Sequence, residues 1–118
     1  MNHTFILLTA PPAPQNLTVT AIKNNASNGE QELVVSWAFL SPNANITKYT
    51  IVWWASSPPL SGQADVSSAN NSTTIKNLTA CTLFNIVVSA SNRYNGKNSS
   101  VVGAYTYVNR TYLLYSII

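Results

Sequence analysis

Charge is what this sequence has least of: Asp, Glu, Lys and Arg make up 8% of its 118 residues, where an ordinary soluble domain carries about 25%. Three acids, Glu30, Glu32 and Asp65, form the whole carboxylate supply, and the only imidazole and thiol belong to His3 and Cys81. General acid–base catalysis needs titratable groups that converge on one reacting centre. Glu30 and Glu32 lie two apart, and from one strand face they cannot flank a scissile bond on opposite sides. One His and one Cys also fall short of the four ligands of a structural zinc site. No catalytic, cofactor-binding or metal-binding residue is therefore expected, and no cofactor. The cations Lys23, Lys48, Lys76, Arg93, Lys97 and Arg110 give a net charge of +3, but they are scattered, so no basic stripe offers a surface to nucleic acid.

Cysteine pairs and long apolar runs are missing too. Cys81 has no partner in the chain, which leaves its sulfur packed as a small hydrophobe, free, or joined to another chain in an interchain disulfide. Phe5 to Ala10 is apolar and ends in small residues, but six positions are fewer than the roughly 7–15 of a signal peptide's apolar region, so the stretch fits only a remnant of one. Leu113 to Ile118, "LLYSII", reads equally as the opening of a membrane span, a linker or a further strand. It is far shorter than the roughly 20 residues a span needs, so no membrane insertion is expected of this segment.

What the chain has in excess is Asn followed two places later by Ser or Thr. Asn2, Asn16, Asn25, Asn45, Asn70, Asn71, Asn77, Asn98 and Asn109 all satisfy the acceptor pattern for N-linked glycans. Fifteen Asn, in a chain where 26 residues are Ser or Thr, would give roughly three such triplets by chance. Either an Asn- and Ser-rich composition makes the rest for nothing, or sugars supply the wet surface that side-chain charge does not. The second reading places the chain in the secretory pathway, extracellular or at the cell surface.

The apolar pattern has period two and nowhere a helical stripe. In Glu32 to Phe39, Leu33, Val35 and Trp37 share one parity; in Ile46 to Trp54, Tyr49, Ile51 and Trp53 face one side while Lys48, Thr50, Val52 and Trp54 face the other. Phe84, Ile86, Val88 and Ala90 repeat the alternation, and shorter runs lie at Leu17 to Ile22, Thr73 to Leu78 and Val101 to Tyr107, with a small piece near Ala64 to Val66. Breakers separate them: "NNASNG" at 24–29, "SPNAN" at 41–45, "SSPPLSG" at 56–62 and "YNGKNS" at 94–99. Seven short strands with polar turns predict an all-β sandwich whose two sheets press their inward rows together. Leu33, Val35, Trp37, Tyr49, Ile51, Trp53, Phe84, Ile86 and Val88 are the expected core.

The order of these signals resembles a fibronectin type III domain. The likeness rests on a proline-led "NLTV" at 16–19, Trp37 ending the second strand, "YTIVW" at 49–53, and then "NLTACTLF" and "SASNRYNGKNS". It covers residues 11–107, leaving 1–10 as an N-terminal extension and 108–118 as a C-terminal extension or linker. It implies a seven-stranded immunoglobulin-like β-sandwich of fibronectin type III topology. In that family the corner between the fifth and sixth strands reads Leu-X-Pro-X-Thr-X-Tyr, which maps onto Leu78, Ala80, Thr82 and Phe84. Ala80 and Phe84 depart from it. Phe84 has no phenolic oxygen to close the corner, so a looser corner is expected.

With catalysis set aside, a surface must carry function. Val52 and Trp54 on the third strand, beside Val87 on the sixth, make an apolar candidate, unless the "SSPPLSG" segment or a glycan covers Trp54. The turn from Arg93 to Ser99 presents Arg93, Tyr94 and Lys97 around an Asn95-Gly96 step that suits a tight hairpin. That turn reads as a contact loop or as an ordinary solvated turn, and a glycan on Asn98 would shield it. No Arg-Gly-Asp triplet is present. Glycan-rich modules of receptor-type tyrosine phosphatases and adhesion proteins look similar. The resemblance implies a non-catalytic module that binds a protein partner beside neighbouring domains of the same chain, or a passive glycosylated spacer in a multidomain ectodomain.

Overall fold

The computed structural model describes residues 9–22, 31–41, 45–57 and 59–106. Seven strands run in chain order: β1 (Thr18–Ile22), β2 (Gln31–Ser36), β3 (Lys48–Ser56), β4 (Pro59–Ser67), β5 (Ser72–Leu78), β6 (Leu83–Ser91) and β7 (Val102–Tyr105). They form two antiparallel sheets, β1-β2-β5 and β4-β3-β6-β7. Among the described residues no helix is long and apolar enough to cross a membrane.

Alternation dictates which rows meet. Successive side chains of a strand point to opposite faces, so Leu33 and Val35 of β2, Tyr49 and Ile51 of β3, and Phe84, Ile86, Val88 and Ala90 of β6 all turn inward and are buried. Ile75 and Leu78 of β5 complete the floor. Trp37 follows the last residue of β2, not within the strand, yet keeps its parity and is 2% exposed. Its indole lies 5.3 Å from the Tyr49 ring at a 53° tilt, a distance and angle common in aromatic pairs. The Trp37 backbone N–H donates to the carbonyl of Asn71, which ties the exit of β2 to the entry of β5. Tyr49 holds the same region from the other sheet, its hydroxyl accepting the Leu40 N–H at 3.0 Å.

Two expectations need correction. The "SSPPLSG" segment is not a free breaker: residues 59–62 belong to β4, which pairs with β3 without interruption from Ser56↔Pro59 to Lys48↔Ser67. Pro59 is tolerated because it stands first in an edge strand, and Gly62 lets the Trp53 indole lie flat across the strand, where a Cβ would collide with that ring. The corner before β6 is not loose either. The buried Thr106 hydroxyl donates to the Thr79 carbonyl at 2.7 Å and accepts the Thr82 N–H at 3.0 Å. The Thr106 N–H in turn donates to the Thr82 carbonyl. A threonine beyond β7 thus supplies the corner oxygen that Phe84 lacks, and Phe84 fills the core as a 1% exposed ring.

The proposed extensions, 1–10 and 108–118, fall almost wholly outside the described residues, as do Asn2, Asn25, Asn109 and Glu30. Thr9 is described, and its carbonyl accepts from the Asn92 side-chain amide at 2.9 Å.

Candidate binding surface

Strands β3, β6 and β7 position the outward face of the four-stranded sheet. Val52 sits opposite Val87, and Trp54 opposite Asn85 on one side and Ser61 of β4 on the other. On the far side of β6, Leu83 pairs with Tyr105 and Asn85 with Gly103. Outward parity therefore brings Trp54, Val52, Leu83 and Tyr105 onto one face, with Val101 continuing the row that holds Gly103 and Tyr105. Nothing on these positions carries charge. The nearest ionised pair on the face is Lys48 with Asp65, 3.2 Å apart, toward the end where β3 begins. The Asp65 carboxylate accepts a 2.8 Å hydrogen bond from the Thr50 hydroxyl. That bond and the one from Lys48 hold its pKa below the ordinary carboxylate range.

The structure redistributes exposure within the face. Trp54 is half-buried between its two neighbouring strands, and Val87 is only 6% exposed, since β6 is flanked by β3 and β7. Of the two covers left open for Trp54, the partial one it has comes from the "SSPPLSG" segment itself, whose Ser61 stands opposite it on β4. The accessible apolar area lies further along, at Leu83, Val101 and Tyr105, the last 66% exposed. Sequence reasoning passed over these three because each reads as an ordinary strand residue. The signal available was parity: Leu83 and Tyr105 alternate with the inward Phe84 and Ala104.

The second candidate, Arg93, Tyr94 and Lys97, is exposed as expected but lies apart from the first. Asn85, beside Trp54, and Ser91, where the turn begins, are six residues apart on β6, a separation of about 20 Å at the rise of a strand. The turn itself is not an Asn95-Gly96 hairpin. The Asn92 side-chain oxygen accepts the Tyr94 N–H at 2.8 Å and bends the chain one step earlier, so that Asn95 bridges back to Ser91. Gly96 serves close approach instead: its N–H donates to the Ala90 carbonyl, and a Cβ there would strike the backbone oxygens of Ala90 and Pro11. Cys81 is exposed, which removes the packed-hydrophobe reading of its thiol, and has a left-handed backbone with φ of 52°.

Six acceptor asparagines are described, Asn16, Asn45, Asn70, Asn71, Asn77 and Asn98, and all are exposed. Five precede β1, β3 or β5 or lie between β6 and β7, at the end where β3 begins; only Asn77, on β5, lies toward the other end. None is on a strand of the four-stranded sheet. Asn16 and Asn98 line one cleft of about 200 Å³ between the approaches to β1 and β7. Asn16, Asn45 and Asn77 have φ of 58°, 52° and 61°, a conformation Asn accepts better than other residues with a Cβ. These three positions thus have a backbone reason for Asn, although that reason does not extend to the hydroxyl two places on.

Catalytic chemistry finds no converging groups among the described residues. Glu32 and Asp65 stand on strands of different sheets, and no three His, Cys, Asp or Glu side chains gather as metal ligands.

A fibronectin type III domain model matches residues 12–104. The chain belongs to the fibronectin type III family. No curated relative matches it. Among solved structures it is similar to the chicken CNTN1 FN1-FN3 domains, with 24% identity and a TM-score of 0.71, over 85% of this chain and 32% of that one. The fn3 domain of human contactin 1 aligns with 22% identity and a TM-score of 0.69 over 91% of this chain and 88% of that one. The FN5 domain of Drosophila Lar aligns with 20% identity and a TM-score of 0.66 over 85% of this chain and the whole of that one. The chain thus spans about a third of the chicken CNTN1 structure, and identities this low speak to the fold alone.

Proposed function

We propose that this chain is a non-catalytic, extracellular protein-binding module of a cell-surface receptor or adhesion protein, and that its partner docks on the outward face of the four-stranded sheet around Trp54, Leu83 and Tyr105. One observation carries the reading: an uncharged apolar row lies on the one sheet that bears no described acceptor asparagine on its strands. Charged residues are depleted, and aromatic ones enriched, at the desolvated centres of protein interfaces. A bulky glycan excludes close contact wherever it hangs, so a face without described acceptors is the one a protein reaches. The exposed Cys81 thiol lies near the Leu83 end of that face, but a sugar on Asn77, four residues earlier, would hang beside it, so an interchain disulfide there requires Asn77 bare.

The half-burial of Trp54 and the burial of Val87 favour a second reading, a passive glycosylated spacer, because they shrink the apolar area on offer. The two separate experimentally. Chain from a secretory host, tetramerised to gain avidity, is titrated onto a panel of cell surfaces beside Leu83→Ser and Tyr105→Ser. Loss of at least tenfold in apparent affinity for both variants, each melting like the parent, supports docking on the face. Equal binding by all three proteins, or none by the parent, supports the spacer. Deglycosylation mass shifts on the same material test the compartment, and an unmodified mass removes the extracellular assignment.

A further inference from the structure

We propose that Asn45 carries an N-linked glycan whose first N-acetylglucosamine rests in a cavity of the domain itself, stacked on the ring of Phe39. The inference depends on the extracellular reading and adds to it a specific occupied site and an intramolecular seat for the sugar.

A cavity of about 440 Å³ opens between the β2–β3 connection and the exit of β4, with Asn45 in its wall beside Phe39, Leu40, Ile46, Tyr49 and Ser68. That volume lies within the roughly 300–1,000 Å³ of small-ligand sites, and a single saccharide ring is a small ligand. Three features fit a sugar tethered at position 45. Phe39 is a large aromatic left 53% exposed, outside the buried core cluster, so part of its ring is open to a ligand. The left-handed backbone at Asn45, φ 52°, accounts for an Asn there, and the hydrogen bond from the Thr47 hydroxyl to the Ser91 carbonyl accounts for the Thr, but neither accounts for an exposed Phe39. The floor is fixed, because the Tyr49 hydroxyl accepts the Leu40 N–H at 3.0 Å, and the chain just beyond Asn45 is anchored where the Thr47 hydroxyl donates to the Ser91 carbonyl at 2.9 Å.

The chemistry of the ligand matches these walls. A pyranose presents C–H groups on its faces and polar groups at its edges. A face laid on Phe39 removes apolar surface of both from water, while the edge meets Ser41 and Ser68. The tether makes the contact intramolecular, so no association entropy opposes it.

The test uses the full chain from a secretory host, with four proteins: parent, Asn45→Asp, Phe39→Ser and the double variant. Asp keeps the left-handed backbone and removes the acceptor. Peptide mapping after enzymatic deglycosylation, which converts an occupied Asn to Asp, is expected to show Asn45 modified. The expected Tm loss from Asn45→Asp is roughly 4 °C in the parent, the size a single modest contact gives in a domain of this length, and under about 1 °C in the Phe39→Ser background. The acetyl methyl proton of the first sugar is expected upfield in the parent, shifted by the Phe39 ring current, and at its ordinary position in Phe39→Ser. Asn45 unmodified while Asn16, Asn77 or Asn98 carries sugar overturns the inference and leaves the extracellular reading standing. So does an occupied Asn45 whose Tm loss is the same in both backgrounds and whose methyl signal does not move. No sugar at any acceptor removes the extracellular reading and this inference with it.

Discussion

Replacing Trp37 by Ala removes the largest side chain at the junction of the two sheets. A tryptophan at 2% exposure buries on the order of 200 Å², which at about 25 cal/mol/Å² is about 5 kcal/mol of transfer free energy. Measured losses for aromatic-to-alanine changes in cores run at about 3–5 kcal/mol. One feature lowers the figure here. The indole N–H is buried and meets no acceptor among the described residues, and an unsatisfied buried donor costs about 1–3 kcal/mol that the variant no longer bears. The expected net loss is thus about 2–4 kcal/mol, a large part of the stability of a marginal domain. Trp37→Phe separates the two contributions. It keeps one ring against Tyr49 and drops the unpaired N–H, so its loss should stay within about 1.5 kcal/mol. Urea unfolding followed by far-ultraviolet circular dichroism reads both without relying on tryptophan fluorescence. A Trp37→Ala midpoint close to the parent, at an unchanged denaturant slope, refutes the placement of Trp37 as the clasp between the sheets. Equal losses in Phe and Ala refute the packing given to the ring against Tyr49, since both variants drop the N–H, and a Phe loss well above about 1.5 kcal/mol contradicts the relief expected from removing it.

Thr106→Val, nearly isosteric, strands the Thr82 N–H and the Thr79 carbonyl at the corner and should cost about 1–3 kcal/mol by urea titration; Thr106→Ser should restore most of it. Gly62→Ala drives a methyl into the Trp53 ring, with a loss of about 1–3 kcal/mol that a Trp53→Leu background should relieve. Because the folded-state pKa of Asp65 is depressed, first by the Thr50 hydrogen bond and then by Lys48, its contribution is present above the ordinary carboxylate range and is lost as pH falls through the folded pKa. Asp65→Asn should therefore flatten the acid limb of a Tm-against-pH curve in that window alone, by a small amount because the pair is exposed. An unchanged acid limb contradicts the assignment.

The strands that alternation marks strongly were legible in the sequence: β2, β3 and β6 carry bulky apolar residues at every second place, and the rows expected to face inward do so. The misreadings share a physical cause, in that long-range partners overrule local signals. Two prolines, a glycine and three serines at 56–62 read as a breaker, yet a continuous ladder with β3 holds residues 59–62 extended. Asn95-Gly96 reads as a hairpin turn, but the Asn92 side chain bends the chain earlier, and contacts with Ala90 and Pro11 claim Gly96. The corner oxygen comes from Thr106, 24 residues beyond the Thr82 N–H it accepts from, so no local spacing points to it. At the candidate surface, parity revealed which side chains face outward but not how far the flanking strands cover them, which is why the cover of Trp54 stayed open in the sequence, Val87 proved buried and Tyr105 went unnoticed.

The two candidate surfaces respond differently to sugar, and that difference bears on which one functions. Arg93, Tyr94 and Lys97 share an end of the sandwich with five acceptor asparagines, one of them Asn98 in the same connection. A glycan there costs a partner close contact, so cations and an aromatic that look suited to recognition work only when Asn98 is bare. The row from Trp54 to Tyr105 runs the other way, along strands that bear no described acceptor. A partner seated on the turn should therefore gain affinity when the sugars are removed, whereas one seated on the sheet should not. The scarcity of charge points the same way. With so few ionised side chains, amides, hydroxyls and sugars must keep the surface hydrated, and the outer face of β3, β6 and β7, whose strands bear no described acceptor, is left to Leu83, Val101 and Tyr105.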